Sequence, residues 1–174
     1  MCQNKQEFDF EKIQANDSNL ILKNGVLYHK KKPYDGLCEQ YNPFTKITKL
    51  TTYKLGKKEG LETKTYKDSS LAEQRFYKNG FKTGIHRGFW KDGSLKFEYC
   101  YNNSGFYEGS FKEWSKGGQL IKEFHYANGK EKGSQKMWNT NGTIRANYVV
   151  KHGERYGLIG LKKCYSIDVE SKDL

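Results

Sequence analysis

Apolar and polar residues alternate in short runs along most of this chain. In residues 93–101, GSLKFEYCY, Leu95, Phe97, Tyr99 and Tyr101 alternate with Lys96, Glu98 and Cys100. A period of two marks a half-buried strand. Residues 118–126 (GQLIKEFHY) and 142–150 (GTIRANYVV) repeat the pattern. Before each lies a shorter segment, such as IHRGFW (85–90) or SQKMW (134–138), which predicts a second strand ending in an aromatic residue. Between the two strands sit KDG (91–93), SKGG (115–118) and NTNG (139–142), whose glycines can take the positive φ that tight turns require. The expected hairpin turns therefore centre on Asp92–Gly93, Gly117–Gly118 and Asn141–Gly142. The other end of each unit closes on KNG, NSG, ANG or KHG.

The same positions recur at a fixed period. The second glycines of successive G-x-x-x-G pairs are Gly60, Gly84, Gly109, Gly133 and Gly157, spaced 24, 25, 24 and 24. A tyrosine column runs through Tyr53, Tyr77, Tyr101 and Tyr126 to Val150. An aliphatic column holds Ile47, Leu71, Leu95, Leu120 and Ile144. A further column, Tyr66, Trp90, Trp114 and Trp138, keeps a spacing of 24 throughout. Independent columns with a common period identify a repeat array.

The predicted fold is all-β: an elongated, single-layer antiparallel sheet of stacked hairpin repeats of about 24 residues. About six units would extend on the order of 55 Å. The Leu, Tyr and Trp columns are expected on one face and Lys and Glu on the other. The extra residue in NNSG (102–105) predicts a bulge near Asn102–Ser104. Residues 1–20 are expected as a flexible tether and 21–161 as the array. Its first unit is degenerate, since Gly36 lacks a partner glycine and Tyr41 is displaced. Residues 162–174 are expected as a cap or tail.

Composition agrees with a thin sheet. Hydrophobic residues make up 35% of the chain, low for a deep core, yet aromatics reach 15%, too rich for a disordered chain. The net charge is +11. Both termini are acidic (Glu7, Asp9, Glu11 and Asp17; Asp168, Glu170 and Asp173), so the body is more basic still. A basic body favours an acidic partner or an anionic membrane surface. The four arginines among 31 cations argue against nucleic acid, whose readout leans on arginine forks.

The stretches YKNGFKTGIHRGFWKDGSL (77–95) and YANGKEKGSQKMWNTNGTI (126–144) resemble the bacterial variant of the MORN (membrane occupation and recognition nexus) repeat family, often labelled YwqK-type antitoxins. FYEGSFKEW (106–114) resembles the repeat's better-known eukaryotic form. The resemblance covers about residues 34–161. It implies an elongated hairpin array that binds another protein or a membrane surface, and it brings no catalytic residues. The function it implies is a non-enzymatic binding module mediating protein–protein or cell-envelope contacts. The alternative is an antitoxin or immunity protein that neutralises a cognate toxin by direct binding.

Candidate chemistry is sparse. Cys2, Cys38, Cys100 and Cys164 form no CxxC, and His29, His86, His125 and His152 are dispersed, so no metal site or cofactor is expected. Glu59, Glu108 and Glu131 recur beside the second glycines, which fits turn chemistry rather than paired acid and base. Cys100 and His125 share a repeat position and would suit a nucleophile and base, but filler on the polar face is the simpler reading. The G-x-x-x-G loops lack the Gly-Lys-Ser/Thr and helix of a phosphate cradle. The expected binding face is aromatic: Tyr66, Trp90, Trp114, Trp138, Tyr77, Tyr101 and Tyr126, doubling as the core of the thin sheet. Cys2 before the polar QNKQ would suit a lipid-anchored envelope protein, with a cytosolic start and an incidental cysteine as the alternative.

Overall fold

The computed structural model describes residues 11–160, and all regular structure in them is β. The strands are β1 (Lys12–Gln14), β2 (Leu20–Lys23), β3 (Val26–His29), β4 (Lys32–Pro33), β5 (Gly36–Asn42), β6 (Ile47–Lys54), β7 (Lys57–Thr65), β8 (Leu71–Lys78), β9 (Phe81–Phe89), β10 (Leu95–Tyr101), β11 (Tyr107–Trp114), β12 (Leu120–Ala127), β13 (Lys130–Glu131), β14 (Gly133–Trp138), β15 (Ile144–Lys151) and β16 (Glu154–Leu158). From β5 onward they follow one another across a long antiparallel sheet, with β13 pairing beside β14 on β12. The expected single-layer hairpin array is the architecture observed.

Turn chemistry sets the two long edges of the sheet. At one edge Gly93, Gly118 and Gly142 donate to the carbonyls of Trp90, Ser115 and Asn139, so the turns fall where the sequence places them. Asp68, Asp92 and Asn141 each accept bonds from the residue two positions on, Ser70, Ser94 and Thr143. At the other edge Asn79–Gly80 and Asn128–Gly129 take positive φ at both positions, as a two-residue type I′ turn requires. The longer NNSG instead closes a wider turn, with Asn102 and Phe106 bonded across it and Gly105 at φ 84°. The extra residue is absorbed there.

A bulge does follow it, but it recurs in other units as well. Pairing slips between Thr51 and Tyr53, between Gln74 and Phe76, and between Tyr99 and Tyr101. Each slip lies opposite the second glycine of a pair, and Gly60, Gly84 and Gly109 all sit near φ 70°. That left-handed conformation costs other residues roughly 1–2 kcal/mol. The G-x-x-x-G motif thus encodes a turn and then a bulge, and the bulges add twist.

Successive units are zipped together at this edge. The amides of Asn79 and Gly80 donate to the Glu59 carboxylate (2.7 Å) and the Lys58 carbonyl (2.8 Å) of the preceding unit. Asn128 and Gly129 do the same to Glu108 (2.8 Å) and to the Tyr107 carbonyl (2.8 Å). Asp35 accepts from Leu55 in the first unit. Glu59 and Glu108 are therefore turn-docking carboxylates. Glu131 departs from this role and accepts from Tyr148 and Arg155 instead.

Cross-strand partners share a face, so the register assigns the core. One central row runs Ile13, Cys38, Thr51, Glu62, Arg75, then His86, Tyr99, Phe111, Phe124, and on through Gln135 to Tyr148. Phe111, Phe124, Ala146, Tyr148 and Val150 form the main buried cluster. Tyr99 stacks on Phe111 with centroids 3.8 Å apart and on Phe97 at 4.4 Å. The core is thus a ladder of aromatic rings along one face of one sheet.

The N-terminal segment departs from the expected tether. Lys12–Gln14 pair in parallel with Leu37–Glu39, and Ile13 is buried with Leu27, Tyr34 and Cys38. A single apolar side chain between polar neighbours suffices to dock a strand where the sheet would otherwise end. Residues 20–33 form a separate three-stranded sheet rather than a first hairpin of the array. The Tyr34 hydroxyl fastens this end to the carbonyls of Glu11 (2.7 Å) and Leu37 (2.9 Å). The residues around Cys2 and the segment 162–174 lie outside the described residues.

Gly88 supports a first prediction. A Cβ there would lie 2.1 Å from the Phe97 ring. Gly88→Ala is expected to destabilise by about 1–3 kcal/mol through overpacking, read as a lowered urea midpoint. An unchanged midpoint would show that the ring does not lie across the glycine.

Candidate binding surface

The expected aromatic face separates into two. Tyr77, Tyr101 and Tyr126 belong to the core face. His86 sits between Tyr77 (5.8 Å) and Tyr101 (4.5 Å), and Tyr107 bridges Tyr101 (4.8 Å) to Tyr126 (5.2 Å). Tyr77 and Tyr101 are buried and Tyr126 half-buried. Burial raises the phenol of Tyr126 to about 12. It also raises those of Tyr99 and Tyr101, helped by the Glu113 carboxylate and by Tyr107 respectively.

Trp114 and Trp138 follow Glu113 and Met137, which share the face of Phe97, Lys122 and Ala146. Alternation turns both tryptophans to the opposite, outer face, and neither packs on the main core cluster. Their register partners are Leu120 and Ile144, and Phe89 pairs with Leu95 in the same way. The result is an outer stripe of Phe89, Leu95, Trp114, Leu120, Trp138 and Ile144. Ile144 is exposed and the others are half-buried.

Tyr66 and Trp90 occupy another position. Their amides close the turn, as do those of Ser115 and Asn139. The even 24-residue spacing of the Trp column therefore joins two structural positions. The single insertion at 102–105 shifts every other column by one, and this one keeps its spacing only by changing position. Tyr66 reaches the Phe89 carbonyl (2.9 Å), and the Lys96 ammonium lies 4.7 Å over the Trp90 ring.

Beside the outer stripe runs a cross-strand charge ladder. Arg87 meets Glu98 at 2.8 Å and Lys112 meets Glu123 at 3.3 Å. The register places Lys112 opposite Glu98 and Lys136 opposite Glu123. Lys116 and Lys136, each two residues along the chain from a tryptophan, and Arg145, next to Ile144, are exposed. The expected charged face thus also carries an apolar stripe, and the aromatic face also carries ion pairs: Lys64 and Arg75 on Glu73, and Lys58 on Glu62.

One column escaped the sequence reading. Two residues beyond the second glycines stand Glu62, His86, Phe111 and Gln135, all buried. Gln135 accepts from the His125 amide (3.0 Å) and donates to its carbonyl (2.8 Å), replacing the ladder bonds that the bulge removes. His86 Nε2 meets the Phe76 carbonyl at 2.9 Å, and burial holds its imidazole below the usual pKa. It thus donates as a neutral ring. Glu62 accepts from Thr51 (3.0 Å) and Lys58. Burial pushes its carboxyl up, but Lys58 and Thr51 outweigh this and leave it below the ordinary value. The signal was the spacing of 24, 25 and 24, which these four share with the glycines.

Cys100 and His125 do not form a nucleophile–base pair. Strand β11 lies between them, Cys100 pairs with Ile85, and the His125 ring engages the Ser134 carbonyl at 2.7 Å. Cys38 and Cys100 are free thiols. Among the described residues no three His, Cys, Asp or Glu side chains gather as a metal cluster. No protein-family model matches this chain, and no curated protein matches it either.

Proposed function

We propose that the chain is a non-enzymatic binding module, a MORN-like array that holds a protein partner on its outer face. The observation behind this reading is the division of labour between the faces. The tyrosine and phenylalanine ladder is consumed as core, whereas Trp114 and Trp138 stand half-open and Lys116, Lys136 and Arg145 are exposed. Half-open tryptophan on a face that also carries exposed cations is an anchor for an apolar, acidic protein face.

Affinity capture from the native host, read by mass spectrometry, tests the proposal. A discrete partner is expected, held more weakly as salt rises because exposed charges are screened over about 8 Å at physiological ionic strength. Trp114→Ala and Trp138→Ala should lose it by about tenfold or more, while keeping the β-sheet circular dichroism. Retention of the partner by both variants would refute the outer-face assignment. Tight binding of duplex DNA at physiological salt would move the reading to nucleic acid.

A further inference from the structure

The two ends of the sheet are finished differently. At the N-terminal end Ile13 of β1 is buried with Leu27, Tyr34 and Cys38. At the other end, among the described residues, β16 has β15 as its one neighbour. All five β16 residues are exposed, with Tyr156 at 55% and Leu158 at 46%, and Ile159 beyond them is at 52%. The strand holds no proline and runs beside β15 without a bulge. An open edge of this kind is a template for another strand.

The turn shows which groups are free. His152–Gly153 take positive φ (52° and 85°) in a two-residue loop, so Lys151 and Glu154 form its hydrogen-bonded closing pair. Bonded and non-bonded pairs then alternate. Val149–Tyr156 and Asn147–Leu158 are bonded, while Val150–Arg155 and Tyr148–Gly157 are not. The amides and carbonyls of Arg155 and Gly157 therefore point away from β15, toward the open side.

We propose that this edge pairs with the same edge of a second copy of the chain, antiparallel, about a two-fold axis at Tyr156. Arg155 of each copy then stands opposite Gly157 of the other, and four backbone hydrogen bonds form. Charge selects this register. Centring on Arg155 would set two guanidinium groups directly opposite each other on one face, which is destabilising. Centring on Gly157 would set Arg155 opposite Ile159, beyond the end of β16. In the proposed register each Arg155 stands opposite the bare Gly157 backbone of the other copy. Arg155 already lies 5.3 Å over its own Tyr148 ring. On the outer face Tyr156 meets Tyr156, and each Leu158 packs along a Glu154 stem. The interface is isologous, so this pairing closes at two copies.

Light scattering and analytical ultracentrifugation of the full chain over a wide concentration range test this. The mass is expected to rise toward twice that of one chain. Arg155→Pro removes an amide aimed at the open side and no bond to β15. Tyr156→Lys places two ammonium groups at the axis, on a residue exposed in the single chain. Each is expected to weaken dimerisation by about tenfold or more, with the circular dichroism retained. Hydrogen exchange should show the Arg155 and Gly157 amides protected in the wild type and released in Tyr156→Lys. A wild type that stays monomeric at every concentration overturns the proposal, whether or not those amides are protected. So does a dimer that both variants leave intact.

Discussion

Phe111→Ala is expected to cost about 3–5 kcal/mol, the range for removing a buried aromatic ring. Phe111 is 7% exposed. Its ring is stacked on Tyr99 and flanked by Tyr107 (5.1 Å) and Tyr126 (5.8 Å), with the Lys122 ammonium 4.7 Å above it. In a single-layer sheet no second layer can collapse into the space left behind. Domains hold only about 5–15 kcal/mol in total, so one ring on this ladder carries a large share. Phe111→Leu keeps much of the volume and should lose less. Urea unfolding of both variants checks this, and a loss below about 1 kcal/mol for Phe111→Ala would show that the ladder is not the core.

Lys58→Met should change the pH dependence of stability as well as its size. Lys58 is the cation on Glu62, which is 2% exposed. Removing one partner of a buried pair costs about 3–5 kcal/mol near neutral pH. In the wild type the folded carboxyl lies below its ordinary value of 4.5. Its contribution is therefore present above that value and lost as pH falls through the lower folded one. For Lys58, burial pushes the ammonium down but Glu62 outweighs this and raises it. That contribution is present below the ordinary value of 10.5 and is lost as pH rises through the folded one. In Lys58→Met burial prevails at Glu62 and raises its pKa. The variant should then gain stability as pH falls from about 7 to about 5, where the wild type gains none from this pair. Urea midpoints across that window decide it, and parallel profiles would mean that Glu62 does not depend on Lys58.

The hairpins were legible because strand alternation and turn chemistry are local. Leu95 to Tyr101 alternates, and KDG, SKGG and NTNG mark the turns without reference to the rest of the chain. The placement of side chains on faces was less legible. Gly60, Gly84 and Gly109 read as turn residues, yet they set bulges, and a bulge decides which later residue points inward. The Trp column misled for a related reason. One insertion at 102–105 moved the register, and Trp90 and Trp114 kept their spacing only by taking different structural positions. Ile13 was hidden because one apolar residue in a polar stretch has no period. The polar core column of Glu62, His86 and Gln135 was hidden because polarity was read as exposure. At a bulge, a buried polar side chain is what satisfies the backbone.

Hydroxyl-radical footprinting of the chain, alone and in complex with the partner recovered by capture, tests the assignment of the faces most directly. The account predicts protection of Trp114, Trp138 and Ile144, with Tyr53, Tyr77 and Tyr101 unchanged. Protection of the tyrosines on the core face, with both tryptophans still fully reactive, would contradict it.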